Sequence, residues 1–222
     1  MRVLLIGASG RTGQLVTTEA LKRGHSVVAL VRNPESLGQP TNGLQLVKGS
    51  PLEPRNFDAA FTNAGRVDAV VVTLATSLAS GNPFSKLVSP RFFMRDSAKT
   101  IISAMQKHGV KKLVVMSAFG AGDSVAQLAF PLRWLFRASN MSYQFEDHDA
   151  VDREVKKATG LAWTLVRPPM LREGEKKPIR QFGEKGTGLG MFDGITRESV
   201  AGFLVDAMER DDWVGKAVVV AN

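Results

Sequence analysis

A short apolar run, Arg2-Val3-Leu4-Leu5-Ile6, passes directly into Gly7-Ala8-Ser9-Gly10-Arg11-Thr12-Gly13. An amphipathic stretch carrying Leu15, Val16, Ala20 and Leu21 follows. Glycines at this spacing between a strand and a helix serve three different needs. The first permits a tight turn, the second lets the backbone approach a pyrophosphate, and the third lets the helix pack closely on the strand. The helix N-terminus then offers free N–H groups and the positive end of its dipole. The pattern is G-x-x-G-x-x-G rather than G-x-G-x-x-G, which alone is a weak sign. At the first strand–helix junction of an alternating chain it points to a dinucleotide.

The rest of the chain supplies that alternation. Nearly continuous apolar runs at 3–6, 27–31, 44–47, 69–74, 112–117, 162–166 and 217–221 read as strands buried on both faces. Helical stretches fill the gaps at about 13–23, 53–64, 90–108, 145–158 and 197–210. Repeated strand and helix imply a parallel sheet covered on both sides, and right-handed crossovers leave the doubly wound α/β sheet, the Rossmann fold, as the expectation. Gly24 after Leu21-Lys22-Arg23 and Gly109 after Gln106-Lys107-His108 mark helix ends, and Thr196 is an N-cap for the last helix. At 222 residues with 44% hydrophobic content, the chain suits one domain, 1–222, with pocket-forming loops at about 76–90, 121–145 and 168–195.

Composition removes several chemistries. Without cysteine there are no disulfides, thiol nucleophiles or thiolate metal sites, and His25, His108 and His148 lie too far apart to suggest a metal cluster. No Gly-x-Ser-x-Gly elbow is present. No stretch has the length of a membrane span and the N-terminus lacks the features of a secretory signal, so the expected location is the cytoplasm. The net charge of +8 is scattered in pairs such as Lys111-Lys112 and Lys156-Lys157, so nucleic acid is not expected. A phosphorylated dinucleotide is the simpler anionic partner. Arg32, after Ala29-Leu30-Val31, stands where an acidic residue would hold both ribose hydroxyls of NAD. A guanidinium there suits the 2′-phosphate of NADP(H), and Arg11 in the glycine turn is expected to reach the same phosphate. The alternative is a surface arginine lying over the turn.

Taken together, GASGRTG at 7–13, VALVRN at 28–33, HGVKKLVVMSAFG at 108–120, EDH at 146–148, GLAWTLVRPP at 160–169 and ITRESVAGFLVDAM at 195–208 carry a resemblance covering nearly the whole chain. The sequence resembles the atypical short-chain dehydrogenase/reductase group, in particular the NAD(P)H-binding proteins related to biliverdin-IXβ reductase/flavin reductase and the NmrA-like proteins. The resemblance implies a cofactor laid across the C-terminal ends of the strands. It places Leu74 and Ala75 near that cofactor and Arg167-Pro168-Pro169 beside the nicotinamide. It does not carry a substrate. Two departures stand out. The Tyr-x-x-x-Lys pair of many short-chain dehydrogenases is missing, because the sole tyrosine, Tyr143, is followed four places later by Asp147. Relatives have Gly-Asp for adenine where this chain has Gly49-Ser50, so adenine contacts fall to Ser50, Leu52 and nearby backbone.

Candidate chemistry then centres on Ser117 at the end of the fifth strand, as a donor to a carbonyl or to the cofactor carboxamide, or else as a backbone cap. His148, behind Glu146-Asp147, is expected to have its charged form favoured and to donate a proton, or to be structural. Tyr143 is a third candidate donor, and Ala118, Phe119 and Met170 are expected to line the substrate pocket. The apolar segment 128–137 reads as a pocket wall or lid, with a dimer contact, a membrane-surface patch or a short packed helix as alternatives. These readings converge on an NADPH-dependent oxidoreductase, a monomer or homodimer, acting on a small aromatic, polycyclic, quinonoid or flavin-like molecule. A dinucleotide-sensing NmrA-like regulator without turnover, or an isomerase or cyclase that retains NADP, are the alternatives.

Overall fold

Strand β1 (Arg2–Ile6) lies near the middle of an eight-stranded sheet. The computed structural model describes residues 1–38, 42–80 and 82–222. The elements after β1 are α1 (Arg11–Lys22), β2 (Ser26–Val31), β3 (Leu44–Lys48), α2 (Pro54–Ala64), β4 (Ala69–Val72), α3 (Phe93–His108), β5 (Lys112–Met116), α4 (Phe130–Ala138) and α5 (Met141–Lys157). Then come β6 (Ala162–Arg167), β7 (Met170–Arg172), β8 (Arg180–Gln181), β9 (Gly194–Thr196), α6 (Arg197–Glu209) and β10 (Lys216–Ala221). The sheet order is β3-β2-β1-β4-β5-β6-β10-β8, parallel except for the antiparallel β8, so the expected doubly wound arrangement is present. Strand order reverses between β1 and β4, and ligands of such sheets bind beyond the carboxyl ends of the strands at that crevice.

The period-two alternation of the strands builds the two cores. Leu4, Ile6, Val28, Leu30, Val70, Leu113 and Val115 face α2, α3 and α5 through Phe57, Phe61, Ile101, Met105, Val151 and Val155. Val3, Leu5, Val27, Ala29, Val71, Val114 and Val218 face α1 and α6 through Val16, Ala20, Val200, Phe203, Leu204 and Met208. Thr196 caps α6 as its sequence position predicts, accepting from the Ser199 N–H at 3.2 Å.

The 121–145 stretch, expected as a loop, is largely helical: a 3-10 turn at Gly122–Gln127, then α4, then the start of α5 four residues earlier than the pattern suggests. Asn140 fixes that start, donating its backbone N–H to Pro83 O at 2.9 Å and its side-chain amide to Phe84 O and Ser85 O. The 76–90 stretch, of which residue 81 lies outside the described residues, forms a narrow loop bridged between Leu78 and Leu87. The 168–195 excursion carries the short parallel pair β7–β9 and supplies β8.

Two buried acids anchor these loops. Asp147 on α5 is fully buried and caps α3 from outside: its carboxylate accepts from the N–H groups of Met94 and Arg95, both at 2.9 Å, and from Thr76 Oγ1 at 2.7 Å. The helix needs that cap because Phe92, at its N-terminus with φ 59°, offers no side-chain acceptor. Asp152, one turn further along, pairs with the fully buried Arg167 at 2.5 Å, and Arg167 also donates to Glu184 O at 2.8 Å. Asp147→Ala leaves two helix amides and a buried hydroxyl without their acceptor. It should cost about 3 kcal/mol, read as a lower urea midpoint at unchanged slope.

Candidate cofactor and substrate site

The glycine turn is built so that no side chain fits at two of its three glycines. Gly7 has φ 92°, and a Cβ there would lie 2.8 Å from the Thr73 carbonyl carbon on the neighbouring strand end. A Cβ on Gly13 would lie 2.1 Å from Gly7 O, inside any van der Waals distance. Thr73 Oγ1 donates toward Gly7 O at 3.2 Å and Ile6 O at 3.3 Å, locking the turn to β4. Gly10 serves as the N-cap of α1 without a side-chain cap, and a Cβ there would meet only Gly7 O at 3.3 Å. The α1 N-terminus, including the amides of Arg11, Thr12 and Gly13, therefore has no side-chain acceptor of its own and no acidic residue in the first turn. That is the cradle a pyrophosphate requires.

A groove of about 300 Å³ runs from this turn across the strand ends, walled by Gly7, Ser9, Gly10, Arg32, Leu74 and Ala75 among others. Arg32 is exposed there and makes no ion pair or hydrogen bond among the described residues. Arg11 is engaged elsewhere: it pairs with Glu173 at 3.0 Å, and Glu173 also takes Arg197 at 2.6 Å. Arg11, expected to share the phosphate with Arg32, is not part of the groove wall. Ser50 and Leu52 also fall outside the groove wall. Ser50 Oγ accepts from the Leu52 N–H at 3.3 Å within its own turn, Leu52 packs on the core, and the intervening Pro51 supplies the wall.

A second recess of about 340 Å³ opens beyond β5 and β6. Ala118, Phe119 and Met170 border it, and so do Pro168, which the sequence assigned to the cofactor, and residues that no motif marked: Leu132 and Phe136 of α4, Met141 and Phe145 of α5, and Met191. The apolar 128–137 segment is thus a pocket wall, and its composition was the available signal. Arg167, implied by the resemblance to sit beside the nicotinamide, is instead the buried anchor of Asp152.

Ser117 lines neither recess, but its neighbours do. Val72 of β4 pairs with Val115 of β5, and the same register carried onward sets Leu74, in the groove wall, beside Ser117, next to Ala118 in the pocket wall. Its hydroxyl is buried without a hydrogen-bond partner among the described residues. A buried orphan hydroxyl is costly and calls for a partner. With the glycine cradle and the uncapped helix, it makes the residues present fit a nicotinamide dinucleotide.

The other two candidate donors behave differently. Tyr143 lies in neither recess; it is partly exposed, with the Arg91 guanidinium 5.3 Å from its ring centre and Arg91 paired to Glu146 at 2.8 Å. His148 borders a small apolar cavity of about 20 Å³ with Leu74, Met94, Met116 and Val151. Desolvation pushes its imidazole down to about 4, against the opposing pull of the Asp147 and Asp152 carboxylates. The expectation that neighbouring carboxylates favour the charged form is corrected: Asp147 is committed to the α3 terminus, and burial outweighs both acids.

This fold and groove define a protein built to bind a nicotinamide dinucleotide at the switch point of a doubly wound sheet. A sequence profile described as NAD(P)H-binding matches residues 7–211, and the chain belongs to that family. It is 26% identical over 223 residues to the photosystem II assembly factor Ycf39 of Synechocystis, covering 100% of this chain but 63% of that protein. Among solved structures it superposes on ChuY, an anaerobillin reductase from Escherichia coli O157:H7, with TM-score 0.77 at 18% identity, covering 99% of this chain and 96% of the other. It also matches the oxidoreductase ylbE from Lactococcus lactis, with TM-score 0.75 at 19% identity, covering 100% and 91%. At those identities the two structures establish the fold. Among the described residues no helix is long and apolar enough to cross a membrane.

The low proton affinity of His148 has a measurable consequence. Its folded value of about 4 lies below the ordinary 6.5, so between these pH values the unfolded chain binds more protons and stability falls as pH falls. The loss over that window should be on the order of 3 kcal/mol. His148→Leu should flatten that part of the stability profile measured by urea unfolding. An unchanged slope would mean that the ring is charged and solvated.

Proposed function

We propose that this chain is an NADPH-dependent oxidoreductase whose acceptor is a small apolar, quinonoid or flavin-like ring bound in the recess between β5, β6, α4 and α5. The observations that carry the reading are the glycine cradle opening on a dinucleotide groove and the separate apolar pocket, with the partnerless Ser117 next to the pocket residue Ala118 in sequence. The glycine turn and the α1 N-terminus hold the pyrophosphate, and Arg32 faces the 2′-phosphate of the adenosine ribose. Ser117 donates to the nicotinamide carboxamide or to the acceptor oxygen. Leu74 and Pro168 flank the ring, and the apolar pocket excludes water from the transfer. A bound reduced nicotinamide supplies the hydride.

The proton inventory narrows the acceptor. Tyr143 lies outside both recesses, and burial pushes the His148 imidazole down to about 4, so that at pH 7 it is neutral and a poor general acid. An acceptor that takes its proton from solvent, as a quinone or flavin does, needs neither residue. The same inventory supports a second reading, a dinucleotide sensor that binds without turnover.

Turnover separates the two. Purified protein with NADPH, then NADH, against FMN and a small set of quinones should oxidise NADPH in preference, and Ser117→Ala should slow it by about 10²-fold, in the range of a lost oxyanion donor. Tight NADPH binding with no oxidation by any acceptor moves the protein to the sensing reading. Arg32→Glu should weaken NADPH by tenfold or more, about 1.4 kcal/mol, and leave NADH nearly unchanged. Equal weakening of both would remove the 2′-phosphate assignment.

A further inference from the structure

The same helix that walls the pocket presents large aromatic rings to solvent. On α4, Leu132 and Phe136 point into the pocket, while Phe130 and Trp134, one turn apart, are 75% and 64% exposed. The pocket rim continues this surface through Met170 at 54%, Met191 at 44% and Phe192 at 74%. Exposed aromatics gathered at the mouth of an apolar pocket mark an interaction surface rather than ordinary scatter.

Charge identifies what the surface meets. The segment 128–138 carries Arg133 and Arg137 and no acidic residue. Arg172 donates to Phe192 O at 2.5 Å and adds a cation at the rim, while Arg180 and Asp193 pair at 3.9 Å and offset one another. The chain as a whole carries +8. An amphipathic helix with aromatics outward and arginines at its flanks suits an anionic lipid interface, where tryptophan places an apolar ring and a polar N–H. A second copy of the chain fits less well. A symmetric contact through α4 would bring four arginines together, two from each copy, with no acidic residue in the 128–138 segment to offset them.

We infer that the outward face of α4, with the 191–192 turn, docks on an anionic bilayer surface and opens the pocket toward lipid. The acceptor that enters is then neutral and membrane-soluble. The pocket agrees with this chemistry: its polar side chains are Gln127 and Asp193, with no lysine or arginine in the lining to hold a carboxylated ligand. The choice of acceptor rests on the reductase reading above, whereas the docking surface does not.

The test uses the full chain without NADPH, mixed with vesicles of phosphatidylcholine alone or of phosphatidylcholine and phosphatidylglycerol in equal parts. Co-sedimentation with the anionic vesicles is expected, together with a blue shift of tryptophan emission, since Trp134 is the one strongly exposed tryptophan. Phe130→Ser/Trp134→Ser should weaken binding about tenfold or more with no fall in melting temperature. Arg137→Glu should weaken it severalfold, more at low salt than at high salt. No binding to anionic vesicles, equal binding to both compositions, or binding indifferent to the double substitution would overturn the inference. So would a dimer in solution that the double substitution dissociates. A chain that binds anionic vesicles yet oxidises no NADPH would support the docking surface while removing the reductase reading.

Discussion

The site depends on one close approach: the α1 backbone at Gly13 pressed against the carbonyl of Gly7, where a single added carbon would lie 2.1 Å from oxygen. That contact sets the angle at which α1 leaves the sheet. It aims the unpaired amides of the first helical turn over the carboxyl end of β1, beside the point where strand order reverses. Thr73 fastens the turn from β4, so the glycine loop and the far side of the crevice are held as one unit. The groove, the position of Arg32 and the proximity of Leu74 to Ser117 all follow from that frame.

Around this frame the polar groups divide between architecture and chemistry. Asp147, Asp152 and Arg167 look catalytic as a set, being buried, charged and close to the strand ends, yet each is committed to structure. Together they hold α3, α5 and the 168–195 excursion against the sheet, and so shape the apolar pocket. At the end of β5 they leave the Ser117 hydroxyl without a partner among the described residues, and His148 with its imidazole beside Leu74, Met94 and Met116. A pocket so poor in acids and bases suits an acceptor with its own route to a proton.

The strands and most helices were legible because parallel strands buried on both faces leave continuous apolar runs, and because Thr196 and the glycine turn carry their geometry in residue type. The start of α5 was not legible: Asn140 and Ser142 read as turn residues, and the helix begins there because Asn140 meets the 83–85 loop, a contact distant in sequence. Tyr143 and His148, candidate donors from one stretch of sequence, are set apart for a related reason. Helix register directs the two side chains to different faces, one under Arg91 and one into an apolar cavity. The acids flanking His148 in sequence suggested a charged ring, whereas the fold turns Asp147 toward the α3 terminus. Arg11 was drawn away by Glu173, which lies 162 residues along the chain and has no signature of its own.

The most direct test is a crystal structure of the protein with NADP⁺ bound. The account predicts pyrophosphate oxygens on the amides of the α1 N-terminus and the 2′-phosphate in hydrogen-bond contact with Arg32. The nicotinamide should lie between Leu74 and Pro168, with its carboxamide or an open acceptor position within reach of the Ser117 hydroxyl. A dinucleotide bound elsewhere, or one whose ribose phosphate faces away from Arg32 while the nicotinamide lies outside the Ser117 region, would contradict it.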